Sequence, residues 1–319
     1  MFTQSVYMLF RRLSKDGMFS FINITNLTLG FATFFLLSQY IHSVLSFDCY
    51  NINYDRIYRL QFFMDQKDNK IKHTWSVTAA MSRHVLPGQP EIEKIVLMHD
   101  VGDNNKSGVF LSVDKKNQFL TRYGFYADQT VFDVFTFRFL EGDPSHALVR
   151  PYSIVLSKKL AEKLFPSGNA LGQTVYGENK AVFTVTGVYD DLPVRSSWQP
   201  AYLLPMLSFT AITGWEDYED NYWAYSFYTY VLLKPNADPA AVDARIHDAL
   251  KDYRKEHFPY LRPLSMVYLR PYYQNDLLIA IGLLSFIALL ILLLSSINYI
   301  NLQTANAITR FREIGIKKT

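Results

Sequence analysis

Two long runs of the sequence contain no Asp, Glu, Lys or Arg, and they constrain the fold more than any other feature. The first run is residues 17–47 and the second is residues 277–309. A helix needs about 20 apolar residues to cross the hydrocarbon core of a bilayer, so both runs are long enough. We therefore predict two transmembrane helices, residues 17–47 and 277–302, with residues 48–276 between them.

Each run has one competing interpretation. A buried core helix competes for residues 277–294 (LLIAIGLLSFIALLILLL), although such a helix rarely runs so long without a polar face. A cleaved signal peptide competes for the first run, because Arg11, Arg12 and Lys15 precede it. The apolar region of a signal peptide is only about 7–15 residues and ends at a small-x-small site. This run is longer and its exit offers no such site, so we favour a retained anchor.

The basic residues flanking the runs predict the orientation. Residues 1–16 contain three Lys or Arg and residues 310–319 contain four, whereas the much longer middle region has slightly more acidic than basic groups. Basic residues stay on the cytoplasmic side. We expect both termini to be cytoplasmic and residues 48–276 to lie outside the cytoplasm. The positive net charge then reflects topology and does not indicate a nucleic-acid partner.

Two features lie close to the first run. The apolar residues of positions 1–16 recur at helical spacing, which favours an amphipathic segment in the inner membrane interface over a solvated lead-in. Cys49 is the only cysteine, so the outer domain has no internal disulfide. No lipobox surrounds Cys49, and we interpret it as a plain small residue and not a lipid attachment site.

Residues 48–276 mix strand and helix signals without a regular βαβ period, which predicts an α+β domain. Ser157 is a plausible N-cap for a short helix, and Asp238-Pro239 opens another. The turn-rich residues 142–151 are a candidate boundary between two lobes. Strands are expected at residues 56–63, 92–98, 119–126, 136–140, 181–189, 225–233 and 266–269, and a helix at residues 76–86.

Motifs of catalysis are missing from the sequence. There is no GxxxxGK[ST] phosphate loop, no HExxH and no GxSxG, and the seven histidines lack metal-ligand spacing. The paired acids Asp190-Asp191 follow a strand and are better explained as a solvated turn. We therefore expect no catalytic residue, no cofactor and no metal site, and a chain that is not itself an enzyme.

Several segments, in register along the chain, resemble permease subunits of the MacB/FtsX type of ABC transporter, in the style common in Bacteroidetes. The segment at residues 53–59 (NYDRIYR) is similar to the family's exit from the first span, in shortened form. Similar to the periplasmic core domain are residues 131–144 (VFDVFTFRFLEGDP), 153–165 (SIVLSKKLAEKLF), 171–174 (LGQT) and 183–193 (FTVTGVYDDLP). Residues 297–302 and 310–318 (RFREIGIKK) are similar to the end of the second span and the turn after it.

This resemblance implies a MacB-like periplasmic core domain over residues 48–276, a separate cytoplasmic ABC ATPase as partner and a dimer of permease subunits. It also implies four spans per module. The chain stops where the third span should approach, so we expect a truncated or split permease, with residues 303–319 as a cytoplasmic segment.

Two groups of candidate site residues follow. Ser295, Asn298 and Asn301 lie close to one helical stripe, where polar groups in a bilayer can hydrogen-bond between helices. The segment at the end of the chain begins, by resemblance, the stretch that joins the second and third spans. Its candidate contacts to the ATPase are Arg310, Arg312, Glu313, Lys317 and Lys318.

Two other functions compete with a permease. A membrane-anchored sensor has the same order of span, outer domain and span, but should continue into a helical signalling segment, against which Gly315 argues. A bitopic scaffold, such as a polysaccharide chain-length regulator, has a long helical outer domain, which the strand content opposes. The absence of charged residues from both spans also makes an ion-coupled carrier a poor fit.

Overall fold

A computed structural model describes residues 17–66, 70–74, 76–102, 108–114, 118–177, 181–250, 257–270 and 277–316. The chain divides into two compact units, each described here by itself. One unit contains the two long helices, and the other is the domain Ser46–Gln274. The amphipathic segment predicted for residues 1–16 lies outside the described residues.

The helices are α1 (Gly17–Leu45), α2 (Val131–Val134), α3 (Lys158–Leu164), α4 (Phe209–Thr213), α5 (Pro239–Leu250), α6 (Leu264–Val267) and α7 (Leu277–Ile316). The strands are β1 (Ile57–Gln66), β2 (Lys70–Thr74), β3 (Ile92–Asp100), β4 (Val109–Ser112), β5 (Gln118–Thr121), β6 (Gly124–Ala127), β7 (Phe139–Gly142), β8 (Ser153–Ser157), β9 (Thr174–Tyr176), β10 (Val182–Tyr189), β11 (Tyr202–Pro205), β12 (Phe227–Leu233) and β13 (His257–Pro263). A π-helical turn, Met81–Val85, continues into a 3-10 turn, Leu86–Gly88.

The two long helices are candidate membrane spans. The apolar stretches Phe21–Leu45 of α1 and Leu277–Ala305 of α7 are long enough to cross a bilayer, and only 11% of the most apolar window of each is buried. Large apolar side chains such as Phe35 and Leu294 are exposed on them. A core helix of a soluble domain would bury this surface, so the exposure favours contact with lipid.

Helix α7 is longer than the predicted span. It has 40 residues and continues through Gly315 to Ile316. Gly315, which argues against a continued helix, lies one residue before the end of the described helix. A single glycine within a helix costs only about 1 kcal/mol relative to alanine, which the neighbouring helix formers can offset.

The domain is built on one mixed sheet. Its main path runs β13-β1-β12-β3-β6-β11-β8-β10-β9-β4-β5, with β2 paired to β1 and β7 paired to β10. Strands β6 and β11 pair in parallel, as do β8 and β10, and the other pairs are antiparallel. This mixed α/β domain, flanked by two long apolar helices, confirms the predicted fold class.

The central strands are buried on both faces. All residues of β6, β8 and β11 are buried, because α3 and α4 cover one face and α2 lies on the other. Along β8, Ile154 and Leu156 join one core cluster, whereas Val155 joins the second. A third cluster, around Leu60 and Val231, packs β1 and β12 against α5. The alternation follows from the two-residue period of side chains along a strand.

Two predicted helix starts are confirmed. The Ser157 hydroxyl accepts a hydrogen bond from the backbone N–H of Leu160 at 3.3 Å, and α3 begins at the next residue. The carboxylate of Asp238 accepts one from the N–H of Ala240 at 3.0 Å at the start of α5. Both contacts satisfy backbone donors that the first helical turn leaves open.

The prediction of a last strand at residues 266–269 was wrong. The strand there is β13, which ends at Pro263, and α6 follows directly over Leu264–Val267. Strand β13 contains Pro259 and Pro263 and lies at the edge of the sheet. Prolines are tolerated at an edge because their missing N–H can face away from the neighbouring strand.

Candidate functional site

The polar stripe predicted on the second span is only partly buried. Ser295 is buried, and a Cβ added at Gly30 would lie 2.0 Å from its Oγ. The backbones of α1 and α7 therefore approach closely at a Gly–Ser contact, as small residues allow between membrane helices. Asn298 and Asn301 lie at exposed positions of α7. A hydrogen-bonding role for all three stays a prediction.

Asn23 of α1 was not predicted as a site residue. Its side chain is 4% exposed, and neither amide atom has a hydrogen-bond partner within the described part of the chain. By contrast, the hydroxyls of Thr33 and Ser296 donate to carbonyl oxygens four residues earlier. Burying an amide without hydrogen-bond partners is costly. A hydrogen-bond partner for Asn23 would therefore stabilise α1 in its place.

The charged residues at the end of the chain are described only in part. Helix α7 includes Arg310, Arg312 and Glu313, but their side chains lie outside the described structure, as do Lys317 and Lys318 entirely. Their role as ATPase contacts stays a prediction.

The start of the domain is fixed by a buried polar network. Residues 46–53, the junction segment, precede the 3-10 turn Tyr54–Arg56. The backbone N–H of Asp48 donates to the Arg195 carbonyl oxygen at 2.8 Å, and its carboxylate accepts from the Ser197 N–H at 2.9 Å. Burial raises the pKa of the Asp48 carboxyl, against the hydrogen bonds from Ser197 and Ser196. The loop at residues 195–198 thus holds the junction segment by hydrogen bonds, although Ser196 and Asp48 are 148 residues apart in the sequence.

Asn51 extends this network to a second loop. Its amide nitrogen donates to the Asp48 carbonyl oxygen, and its amide oxygen accepts from the Thr136 N–H, both at 2.9 Å. The Thr136 hydroxyl accepts in turn from the N–H of Ile52 at 2.9 Å. Each of these three bonds has a backbone atom on one side, so the junction segment is held in one conformation relative to the body of the domain.

The junction segment also contacts the last part of the domain. The rings of Phe47 and Tyr268 stack with centroids 3.5 Å apart and planes 5° from parallel. The residues at which the chain enters the domain and those at which it leaves α6 are therefore in direct contact. Sequence reasoning missed this arrangement, because nothing in the spacing of Phe47 and Tyr268 indicates it.

A cavity of about 310 Å³ lies on one face of the sheet. Its lining includes His99, Tyr126, Phe183, Tyr202 and Leu204. It is mostly apolar, with His99 and Asp100 among its few polar groups. Within the residues that the structure describes, no three His, Cys, Asp or Glu side chains converge as metal ligands would.

Comparison with protein families identifies the chain. Residues 20–249 match the model of the MacB-like periplasmic core domain, so the chain belongs to this family, found in ABC transporter permeases. A search of curated proteins gives no match. The family predicted from the sequence is confirmed.

One solved structure shares the fold at low sequence identity, and two others are similar at lower TM-scores. A domain of a protein described as a permease, from Porphyromonas gingivalis, matches with a TM-score of 0.55 and 20% identity, covering 67% of this chain and 91% of that one. The periplasmic region of MacB from Actinobacillus actinomycetemcomitans gives 0.47 and 14%, covering 66% and 90%. The extracellular domain of the noncanonic ABC-type transporter YknZ from Gram-positive bacteria gives 0.45 and 15%, covering 64% and 98%.

Proposed function

We propose that this chain is a permease subunit, or part of one, of an ABC transporter. In this proposal a separate cytoplasmic ATPase drives movement of the periplasmic domain, and that movement exports or extracts a substrate. The observation that carries the proposal is the match of residues 20–249 to the MacB-like periplasmic core domain, set between two candidate spans.

The source of energy is argued from the sequence of the spans. Apart from His42, residues 17–47 and 277–302 contain no Asp, Glu, Lys, Arg or His, whereas ion-coupled carriers place ionisable groups within their spans. The sequence also lacks a phosphate-binding loop. Hydrolysis of ATP by a partner subunit fits both features.

The junction segment is the proposed route by which motion enters the domain. Asp48 and Asn51 bind it to loops at residues 195–198 and 136, and Phe47 stacks on Tyr268 near the other end of the domain. Displacement of this segment would pull on both loops at once, because each is held by hydrogen bonds to backbone. A rigid connection of this kind suits transmission of a mechanical signal.

The proposed topology has residues 1–16 and 303–319 in the cytoplasm, residues 17–47 and 277–302 as spans in the bacterial inner membrane, and residues 48–276 in the periplasm. A division of the domain into lobes near residues 142–151 is part of the same proposal. A dimer of permease subunits, with the lipid bilayer around it, completes the arrangement.

Topology can be tested with reporter fusions. A reporter that is active only outside the cytoplasm should work when inserted at Asn105 and fail when fused after Thr319. The prediction rests on the basic residues flanking both spans. Activity at Thr319 would contradict a cytoplasmic C-terminus.

The partner can be tested by purification of the full-length gene product from membranes in mild detergent. We expect an ATPase to co-purify, and the paired exchange Glu313→Lys with Lys317→Glu to release it. The exchange keeps the number of basic residues near the membrane constant, so topology should not change.

The matched control is Lys158→Glu with Glu162→Lys, an equal exchange on exposed residues of α3, which should leave the ATPase bound. If no ATPase accompanies the unmodified protein, the permease proposal fails. If the ATPase stays bound after the Glu313 and Lys317 exchange, the docking residues lie elsewhere and the permease proposal stands.

A further inference from the structure

The cavity of about 310 Å³ contains hydrogen-bonding groups that have no partner among the residues that the structure describes. It lies within the size range of small-molecule sites, which are concave and mostly apolar with a few polar groups that set orientation. Aliphatic walls come from Val109, Leu111 and Leu204, and ring walls from Phe183 and Tyr202. One bound water could not fill this volume or find enough polar partners in it.

His99 offers the cavity a hydrogen-bond acceptor. Its Nδ1 lies 2.6 Å from the backbone carbonyl oxygen of Asp100. A carbonyl oxygen only accepts, so we assign the proton to Nδ1, which leaves Nε2 as an acceptor. Burial lowers the pKa of His99, so its imidazole is neutral near pH 7. In the part of the chain that the structure describes, Nε2 has no hydrogen-bond partner.

Tyr126 supplies the complementary group. It lies directly opposite His99 in the pairing of β6 with β3, and its side chain is only 3% exposed. Burial raises the pKa of Tyr126 well above its usual range, so the hydroxyl keeps its proton. Among the described residues nothing hydrogen-bonds this hydroxyl. Buried tyrosine hydroxyls usually find a partner, so the cavity is where its partner should be.

We propose that the cavity binds a small neutral molecule with a hydroxyl group on an apolar body. The hydroxyl donates to His99 Nε2 and accepts from the Tyr126 hydroxyl, and the apolar body fills the space between the aliphatic and ring walls. One ligand hydroxyl thus satisfies both unused groups. This site is independent of the proposed ATPase partner and of transport.

The test uses the full-length protein in lipid nanodiscs, with empty nanodiscs as the blank, and measures binding by equilibrium dialysis. The probes are 1-naphthol and 1-methoxynaphthalene, which share an apolar body, but only the first can donate a hydrogen bond. We expect saturable binding of both, with 1-naphthol roughly fivefold tighter, the worth of one net hydrogen bond.

The variants should separate the two contacts. His99→Phe keeps the ring but removes the acceptor, so both probes should bind about equally. Tyr126→Phe removes a donor that either probe's oxygen can accept from, so both should weaken while 1-naphthol keeps its advantage. Tyr58→Phe removes a partly buried tyrosine hydroxyl that does not line the cavity and should change neither affinity.

The proposal is overturned if the unmodified protein shows no saturable binding above empty nanodiscs. It is also overturned if 1-naphthol keeps its advantage in His99→Phe, or if Tyr126→Phe leaves both affinities unchanged. Tyr126→Phe deletes a single atom with no partner among the described residues, so it keeps the test decisive even if His99→Phe fails to fold.

Discussion

Neighbouring side chains of β11 lie in very different surroundings, although both are buried. Leu203 is 0% exposed and points into the core cluster that contains Val155, Tyr189 and Leu232. Leu204 is 2% exposed and lines the cavity on the other face of the sheet. Equal burial therefore does not mean equal packing, and the sheet has one closely filled face and one face with room for a ligand.

The filled face is dominated by aromatic rings in edge-to-face contact. Phe125 and Phe137 pack edge-on against Trp198, with centroids 5.4 and 5.8 Å away, and Phe137 also packs against Tyr189 at 5.0 Å. The Tyr189 hydroxyl donates to the Pro200 carbonyl oxygen. Unlike the Tyr189 hydroxyl, the indole N–H of Trp198 has no hydrogen-bond partner among the described residues. Rings in this geometry gain energy beyond their buried area.

The largest expected effect concerns whether the domain folds when it is produced without the two spans. Residues 48–276, produced without the spans, should fold as a soluble domain, because the three core clusters lie within it. Circular dichroism should give a mixed helix and strand spectrum with a cooperative melt. A mainly helical spectrum, or no cooperative transition, would contradict a sheet that is stable on its own.

Leu203→Ala on the filled face should be the most destabilising point change considered. Removing a fully buried leucine costs about 2–5 kcal/mol, and most where the surroundings cannot collapse. We expect a loss in the upper half of that range in the free energy of unfolding of the isolated domain, measured by urea denaturation. A loss below about 2 kcal/mol would show that this face is less closely packed than the structure indicates.

Leu204→Ala, the next residue along the same strand, is the matched comparison. Its side chain already borders empty space, so fewer atomic contacts disappear with it. We expect a loss near the lower end of the same range, about 2 kcal/mol, in the same urea experiment. Equal losses for Leu203→Ala and Leu204→Ala would remove the distinction between the two faces.

Sequence alone predicted two kinds of feature, which are long runs of uniform composition and local signals at helix starts. The two charge-free runs predicted α1 and α7, and Ser157 and Asp238 predicted the starts of α3 and α5. Strand β13 was missed because Pro259 and Pro263 oppose a strand in isolation, and only its edge position makes them acceptable.

The junction segment and the cavity could not be predicted in this way. Asp48 and Ser197 are 149 residues apart, and His99 meets Tyr126 only because β3 pairs with β6 in one register. Such contacts depend on the order of strands in the sheet. Polar and aromatic residues at strand spacing indicate a core, and they do not show which face of it stays unfilled.

Tyr189→Phe tests the hydroxyl of the filled face. The change removes the hydrogen bond to the Pro200 carbonyl oxygen and leaves that acceptor buried. We expect the free energy of unfolding to fall by about 1–1.5 kcal/mol. A neutral result would mean that the carbonyl finds another donor, and the filled face would then owe its stability to ring packing alone.

Tyr126→Phe is the same chemical change on the cavity face, and it should have the smallest effect. The Tyr126 hydroxyl has no hydrogen-bond partner among the described residues, so removing it breaks no bond within them and leaves no acceptor unsatisfied. Deleting a buried polar group that lacks a partner is nearly neutral or slightly stabilising, within about 0.5 kcal/mol. Urea denaturation of Tyr126→Phe beside Tyr189→Phe, in ligand-free domain, measures the difference directly. A loss for Tyr126→Phe as large as that for Tyr189→Phe would show that the hydroxyl already has a partner in the folded protein, and the hydrogen-bonding capacity assigned to the cavity would then be filled from within the chain.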